Sequence, residues 1–268
     1  MRGGTGALDE ATLSELARRF GGAGVEALAL TGSYARGDAT RFSDIDLLRF
    51  TAIPPVSERE VYRLWPLGER LVSVTTTTIA AKRAEMARPE LLMWVVRGLA
   101  QARVLADSDG RLAALIAEAR AFAWTPDLRA AAHAYASDLL AGLAEEALKL
   151  LGALEHDNAS AALYATVGLE MGLTRALLVA RGVLLSTEND YFDAALTLAG
   201  LRWRRLLRLV ADYDAPPAGE DPPRARGAAA LRLYAEAARL LADTLVEDDR
   251  AIIAPTVARI QQTLGATP

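Results

Sequence analysis

The sequence contains no cysteine and only two histidines among its 268 residues. Without cysteine there are no disulfide bonds and no thiolate metal sites, and a reducing compartment is compatible with this composition. His133 and His156 have no further ligands at a metal-binding spacing, and we expect them on a helix surface and in an interhelical turn. These absences exclude cysteine chemistry and a histidine-based metal site.

Long apolar runs and an excess of basic charge are also missing. No uninterrupted run of about 18 apolar residues occurs, and the first residues form no long apolar segment. We therefore expect a cytoplasmic protein with no membrane partner. Thirty basic against 34 acidic residues give a net charge of −4, which argues against a general nucleic-acid partner and favours a small acceptor, including a cationic one.

Hydrophobic residues make up 52% of the chain and can fill the cores of two modest domains. We predict an α+β fold. Residues 1–124 form an α+β domain with a small mixed sheet flanked by helices, and residues 125–268 form a helical bundle for ligand binding or dimerisation. The boundary lies at Trp124, since Thr125 can cap a helix and Pro126 suits its first position.

Apolar periodicity predicts the elements of the first domain. Helices are expected at Leu8–Phe20, about Ser57–Trp65, Glu90–Ala102 and Arg111–Ala121, and strands at Val25–Thr31, Asp44–Phe50, Arg70–Ile79 and Arg103–Ala106. The segment Asp107-Ser108-Asp109-Gly110 looks like a metal motif. A turn in which Ser108 or Asp109 caps the following helix is the better interpretation, because Asp-Gly is typical of turns.

The second domain shows only helical periodicity. Helices are expected at Asp127–Leu154, Ala159–Arg181, Asp190–Ala199, Arg202–Ala211, Ala228–Leu245 and Arg250–Leu264. The segment Asp214–Arg226 contains four prolines and is predicted to be a long loop. The basic stretch Arg202–Arg208 is interpreted as a solvated helix face, with nucleic-acid contact as the lesser alternative.

Residues 30–49 carry the strongest functional pattern. An apolar run leads into Gly32 and Ser33, where the missing Cβ of glycine lets backbone N–H groups approach an anion such as a triphosphate. Further on, Asp44 and Asp46 fall on one face of a predicted strand, because side chains alternate along a strand. Two neighbouring carboxylates repel each other unless a hard cation binds them, and Mg²⁺ held by carboxylates and substrate phosphates is the usual solution.

The order Gly-Ser, Arg-x-Gly and Ser-Asp-x-Asp-Leu resembles the signature of the polymerase-β-type nucleotidyltransferase superfamily, in the small bacterial branch that includes kanamycin nucleotidyltransferase. The resemblance implies Mg²⁺-dependent transfer of a nucleoside monophosphate, AMP from ATP, to a hydroxyl of a small acceptor. An aminoglycoside antibiotic is the best single candidate, and a homodimer is implied as well. The alternative is a β-hairpin with Gly32 and Gly37 as turn residues and both aspartates solvated.

The resemblance assigns roles to the residues of this motif. The metal ligands and catalytic carboxylates are Asp44 and Asp46, and the candidates for nucleotide binding are Gly32, Ser33, Arg36 and Ser43. Arg36 would pair with a phosphate through its guanidinium group, and a surface arginine is the alternative. Ser43 has no histidine near it in sequence to activate it, so we expect a cap or an oxygen that orients the aspartates.

A second segment, Leu143–Lys149, resembles the Glu-x-Ala-x-Lys segment of kanamycin nucleotidyltransferase-like enzymes. Carried over by position, Glu145 becomes the candidate base that deprotonates the acceptor hydroxyl, and Lys149 becomes a candidate phosphate ligand. The alternative is an ordinary salt bridge between residues four apart on a helix.

One position departs from the superfamily pattern. A third carboxylate normally comes from the middle of the strand predicted at Arg70–Ile79, and the matching residue here is Ser73. Serine can donate a hydrogen bond but cannot supply the charge. Either two carboxylates and phosphate oxygens suffice, or a carboxylate comes from elsewhere, or the enzyme is weakened. Two alternative functions follow: a nucleotide-binding regulatory protein, and the nucleotidylating partner of a toxin–antitoxin pair with a protein acceptor.

Overall fold

The computed structural model describes residues 7–216, 218–219 and 221–265. The chain divides into two compact units, Met1–Ala123 and Trp124–Pro268. All strands of the described residues lie in the first unit, and the described part of the second unit is helical. The prediction of an α+β fold, with a small mixed sheet flanked by helices and a helical C-terminal region, is confirmed.

Within residues 7–123, the first unit combines a five-stranded sheet with six helices. The strands are β1 (Val25–Thr31), β2 (Ile45–Thr51), β3 (Tyr62–Leu67), β4 (Arg70–Thr77) and β5 (Arg103–Asp107). The helices are α1 (Glu10–Phe20), α2 (Gly32–Arg36), α3 (Glu58–Val61), α4 (Ile79–Glu85), α5 (Pro89–Ala100) and α6 (Arg111–Arg120). The strand order is β3-β4-β2-β1-β5, in which β2 and β4 are parallel and the other neighbours are antiparallel.

Two apolar layers cover the two faces of this sheet. On one face, α1 packs through Leu16 and Phe20 against Leu28 and neighbouring strand residues. On the opposite face, Phe50 belongs to a layer formed with α4, α5 and α6. Because side chains alternate along a strand, Asp46 of β2 points to the same face as Phe50, at the start of the strand. The sheet thus places this carboxylate at the edge of a buried apolar layer.

The segment from residue 57 to residue 67 differs from the sequence prediction. The helix expected at about Ser57–Trp65 ends at Val61, and Tyr62–Leu67 form the edge strand β3, antiparallel to β4. The helix start is as expected, since the hydroxyl of Ser57 accepts a hydrogen bond from the N–H of Glu60 at 3.3 Å. The side chains of β3 are mostly exposed, and such an edge strand lacks the apolar alternation that identifies a half-buried strand.

The segment Asp107–Gly110 is a turn that begins α6, as predicted, and Oδ1 of Asp109 accepts a hydrogen bond from the N–H of Arg111, the first residue of α6, at 3.2 Å. The carboxylate of Asp107 accepts hydrogen bonds from the N–H groups of Leu112 and Ala113, at 3.3 and 2.8 Å. Ser108 instead donates to the carbonyl of Glu26. The last residue of β5 and Asp109 of the turn therefore share the N–H groups at the start of α6.

The second unit is built around one long helix. Its helices are α7 (Pro126–Gly142), α8 (Ala144–Glu155), α9 (Ala159–Ala180), α10 (Tyr191–Leu198), α11 (Leu201–Val210), α12 (Pro222–Leu240) and α13 (Glu247–Leu264). Helix α9 contacts α7, α8, α10 and α12. Among the residues described, α9 alone is long and apolar enough to cross a membrane, and 56% of its most apolar window is buried inside the protein. A core helix meets the same criteria, and its neighbours identify α9 as one.

Several helix boundaries in this unit differ from the sequence prediction: α12 ends at Leu240 rather than at Leu245, α13 begins at Glu247 rather than at Arg250, and two larger differences follow. The helix expected at Asp127–Leu154 is divided at Leu143, whose backbone stays helical, so the apolar periodicity runs through the break. Helix α12 begins at Pro222, inside the loop expected at Asp214–Arg226. Asp221 accepts a hydrogen bond from the N–H of Arg224 at 3.2 Å, and Pro222 occupies the first helical position, where proline is favourable.

Candidate active site

The turn between β1 and α2 brings the backbone of Gly32 against the side chain of Asp46. Gly32 has a φ of +64°, a conformation that residues with a Cβ rarely adopt. A Cβ at this position would lie 1.9 Å from Oδ2 of Asp46. Thr31 and Asp46 are register partners on β1 and β2, and the Thr31 hydroxyl donates to the Asp46 carbonyl at 3.4 Å. The backbone of the turn at Gly32 therefore packs directly against the Asp46 carboxylate.

On the other side of β2, Asp46 faces Ser73. The two residues are register partners in the parallel pairing of β2 and β4. The Ser73 hydroxyl donates a hydrogen bond of 2.6 Å to Oδ1 of Asp46, and Ser73 is only 5% exposed. Hydrogen bonds to a charged acceptor are short and strong. The residue that replaces the expected third carboxylate thus orients one of the two carboxylates that remain.

Asp44 lies immediately before β2, which begins at Ile45 rather than at Asp44 as predicted. Asp44 is half-buried, and within the described part of the chain its carboxylate has no hydrogen-bond or ion-pair partner. Its oxygens are consequently available to a ligand. The alternative of two merely solvated aspartates does not fit Asp46, which is held between Gly32 and Ser73.

Ser43 and Arg36 have partners within the connection between β1 and β2. The Ser43 hydroxyl accepts a hydrogen bond from the N–H of Thr40 at 2.9 Å, so it caps a turn, as one of its two interpretations predicts. Arg36 is only 17% exposed in its side chain and donates from Nε to Asp38 at 3.1 Å. This burial argues against a solvated surface arginine. The nucleotide-binding roles of both residues stay predictions.

The donor set fits a hard divalent cation. Asp44 and Asp46 supply carboxylate oxygens, which Mg²⁺ prefers, and Mg²⁺ usually completes its coordination with waters and substrate phosphates. No cluster of three or more histidine, aspartate, glutamate or cysteine side chains that could hold a metal occurs within residues 7–216, 218–219 and 221–265. Those residues therefore provide no third acidic ligand in place of Ser73. Two interpretations remain: two carboxylates with phosphate oxygens suffice, or the enzyme is weakened.

Glu145 and Lys149 lie on α8 in the second unit. The ammonium of Lys149 is 2.9 Å from Glu145 Oε1 and 2.8 Å from Glu146 Oε1. The hydrogen bond to Glu146, which has the larger effect, and the one to Glu145 raise the pKa of Lys149 above its usual value. The ordinary helix salt bridge is therefore present, and Glu145 remains 74% exposed in its side chain. The assignment of these two residues as base and phosphate ligand stays a prediction.

The sequence alone does not reveal the contact between Ser73 and Asp46. The pairing of β2 with β4 joins residues 27 positions apart, and nothing in the local pattern fixes its register. The one available signal is the superfamily expectation that the centre of this strand meets the aspartate pair. That expectation identifies the position correctly, although the residue there is a hydroxyl donor.

Two comparisons relate this chain to known proteins. Residues 10–84 match the family model described as a nucleotidyltransferase domain, and this span includes Gly32, Asp44, Asp46 and Ser73. A solved structure, the nucleotidyltransferase-like protein from Exiguobacterium sibiricum 255-15, is similar at a TM-score of 0.52 and 13% identity, over 88% of this chain and 76% of that chain. At this identity the likeness shows the fold. No curated protein matches the sequence. The match over residues 10–84 supports the predicted superfamily and nucleotidyl transfer in general as the chemistry of this domain.

Proposed function

We propose that the protein is a cytoplasmic, Mg²⁺-dependent nucleotidyltransferase that transfers AMP from ATP to a hydroxyl of a small acceptor. The acceptor oxygen forms a bond to the α-phosphorus, the bond from that phosphorus to the β-phosphate oxygen breaks, and pyrophosphate leaves. The observation that supports this proposal most is the packing of Gly32 against Asp46, with Ser73 on the other carboxylate oxygen. This arrangement lies within the span that matches the nucleotidyltransferase domain.

In this proposal the residues of the first unit bind and orient the nucleotide. Asp44 and Asp46 hold Mg²⁺, and Gly32 and Ser33 offer backbone N–H groups and a hydroxyl to the phosphates. Bound Mg²⁺ offsets the negative charge of the reacting phosphates. Ser73 keeps the Asp46 carboxylate in a fixed orientation, and because it is neutral it leaves the site one negative charge short of a three-carboxylate centre.

The acceptor side of the proposal rests on resemblance. Glu145 accepts the proton of the acceptor hydroxyl and Lys149 contacts a phosphate, as their positions in the Glu-x-Ala-x-Lys segment imply. An aminoglycoside is the acceptor we propose first, since a cationic molecule suits a chain with a net charge of −4. Assembly as a homodimer belongs to the same resemblance.

One observation favours a second function, a nucleotide-binding regulatory protein with little or no transfer activity. Ser73 contributes no charge where the superfamily pattern has a carboxylate, and Ser73 already donates its hydrogen to Asp46. Less negative charge binds a divalent cation less tightly. A chain with this site can bind Mg²⁺ and ATP through Gly32, Asp44 and Asp46 without supporting rapid transfer.

A turnover assay separates these functions. The protein is incubated with Mg²⁺, ATP labelled at the α-phosphate and a panel of aminoglycosides, and both pyrophosphate release and the labelled product are measured. We expect acceptor-dependent release that is lost in Asp46→Asn. Binding of a non-hydrolysable ATP analogue without release on any acceptor supports the regulatory function. Label on a co-purifying protein supports the toxin–antitoxin alternative.

A further inference from the structure

Helices α11, α12 and α13 of the second unit enclose a charged cavity of about 350 Å³. Its polar lining consists of Arg202 from α11, Arg232, Glu236 and Arg239 from α12, and Gln261 from α13. The rest of the lining is largely apolar. Ligand cavities typically have volumes of about 300–1,000 Å³ and combine an apolar lining with a few convergent polar groups.

The arginines of this cavity outnumber its single carboxylate. Glu236 is 2% exposed, and its oxygens receive hydrogen bonds of 3.0 and 2.6 Å from the guanidinium group of Arg239. Arg202 approaches the same carboxylate at 3.4 Å. Arginine stays protonated in proteins. Three guanidinium groups facing one carboxylate therefore leave two excess positive charges around the cavity.

Arg232 contributes one of these positive charges. Its Nε is buried and donates a hydrogen bond to none of the residues that the structure describes. Nearly all buried polar groups in proteins have a partner, so an exception requires an explanation. Glu236 contacts Arg239 and Arg202, and within the described residues it forms no ion pair with Arg232.

We propose that this cavity binds a small phosphate dianion, with Arg232, Arg239 and Arg202 as its positive ligands. The planar fork of arginine matches phosphate oxygens, and such pairs are stronger than neutral hydrogen bonds. A phosphate group carries a charge of about −1.5 to −2 at neutral pH, which is close to the two excess positive charges, and the amide of Gln261 adds a donor. Free phosphate and the phosphate group of an organic molecule share this chemistry.

The competing explanation is that the arginines serve only to neutralise buried Glu236. Arg239 and Arg202 are sufficient for that purpose, since both contact the carboxylate. Under this explanation Arg232 has no role in the cavity, and its replacement changes no binding property. The two explanations therefore differ in what they predict for Arg232.

Isothermal titration of the full-length protein, in a phosphate-free buffer, tests the proposal. The probes are inorganic phosphate and phenyl phosphate. We expect saturable binding of at least one probe, weakened at least about tenfold in Arg232→Gln because a charge-assisted pair is lost. The matched control is Arg205→Gln on α11, an exposed arginine with no ion pair in the described chain, which should bind as the wild type does.

Thermal melting checks that each variant folds. If Arg232→Gln does not fold, Arg232→Lys replaces it as the test variant, because lysine keeps the charge but lacks the planar fork of arginine. Tighter binding of phenyl phosphate identifies an organic phosphate as the ligand, and tighter binding of inorganic phosphate identifies the free ion. Absence of saturable binding of both probes, or equal affinity in wild type and the Arg232 variant, overturns the proposal. ATP is absent from this titration, so its result is independent of the proposed transfer reaction.

Discussion

The hydroxyl of Ser73 donates a 2.6 Å hydrogen bond to Oδ1 of Asp46, across the parallel pairing of β4 with β2. The bond joins a neutral donor to a charged acceptor at the position where the superfamily pattern has two acidic residues. The bond holds the Asp46 carboxylate in one orientation without a bound cation. A third carboxylate in the same place would repel Asp46, and a bound metal ion would be needed to offset that repulsion.

The first prediction concerns Ser73→Asp. We expect this variant to melt at a lower temperature than the wild type at neutral pH without Mg²⁺, because two carboxylates then face each other on neighbouring strands. Added Mg²⁺ should raise its melting temperature more than that of the wild type, because the cation binds between the carboxylates. Differential scanning calorimetry with and without Mg²⁺ measures both effects.

Ser73→Ala is the control for this experiment. It removes the donor without adding charge, so we expect a loss of about 1–3 kcal/mol in the free energy of unfolding. Added Mg²⁺ should raise its melting temperature no more than that of the wild type. Equal melting temperatures of Ser73→Asp and wild type in the absence of Mg²⁺ would mean that residue 73 does not face Asp46.

The second prediction concerns Gly32→Ala. The added Cβ would lie 1.9 Å from Oδ2 of Asp46, and the alanine would have to adopt a φ of +64°. Gly68 provides a matched control, since it has a φ of +59° and no atom within 4 Å of its ideal Cβ. Backbone strain costs about 1–3 kcal/mol in both variants, so urea denaturation should show a larger loss for Gly32→Ala by the cost of displacing the carboxylate. Equal losses would show that the close approach does not exist.

The sequence predicts the strands that position the site because their patterns are local. The apolar run at Val25–Thr31 and the alternation after Asp44 each belong to one strand with a buried face, and both strands occur within one residue of the expected bounds. Strand β3 and the hydrogen bond from Ser73 to Asp46 depend on pairing between distant segments, so the local pattern does not contain them. The charged cavity is hidden for the same reason, since Arg202 and Glu236 meet only through helix packing.

The third prediction concerns the pH dependence of stability at Glu170 of α9. Burial raises the pKa of this carboxyl above its ordinary value. The folded state therefore keeps the proton to a higher pH than the unfolded state, and the free energy of unfolding falls as the pH rises from the ordinary pKa through the raised one. Glu170→Gln should raise the melting temperature at neutral pH and should have less effect at a pH below the ordinary pKa.

The exposed Glu155 of α8 provides the control for this measurement. Its replacement by glutamine should change the melting temperature little at either pH, because a solvated carboxylate pays no burial cost. A stabilisation by Glu170→Gln that is the same at both pH values would contradict the burial of a charged carboxylate as its cause.

The fourth prediction concerns the proposed base. Glu145→Gln should lower kcat for acceptor-dependent pyrophosphate release by about 10²–10⁴-fold, the usual contribution of general base catalysis, while the affinity for the ATP analogue stays unchanged. Glu155→Gln, on the same helix, is the control and should leave kcat as it is. A normal kcat in Glu145→Gln would mean that Glu145 is not the base and serves only as a salt-bridge partner of Lys149.

The most direct test of the account is calorimetric titration of a non-hydrolysable ATP analogue, in the presence of Mg²⁺, into Asp44→Asn/Asp46→Asn. Asparagine keeps an oxygen that can accept from Ser73, so the fold should be preserved. Glu15→Gln/Glu69→Gln removes two negative charges at exposed positions of the same unit and is the matched control. We predict that the aspartate variant binds the analogue at least about tenfold more weakly and that the control binds like wild type. Unchanged affinity in the aspartate variant would contradict the proposed Mg²⁺-nucleotide site.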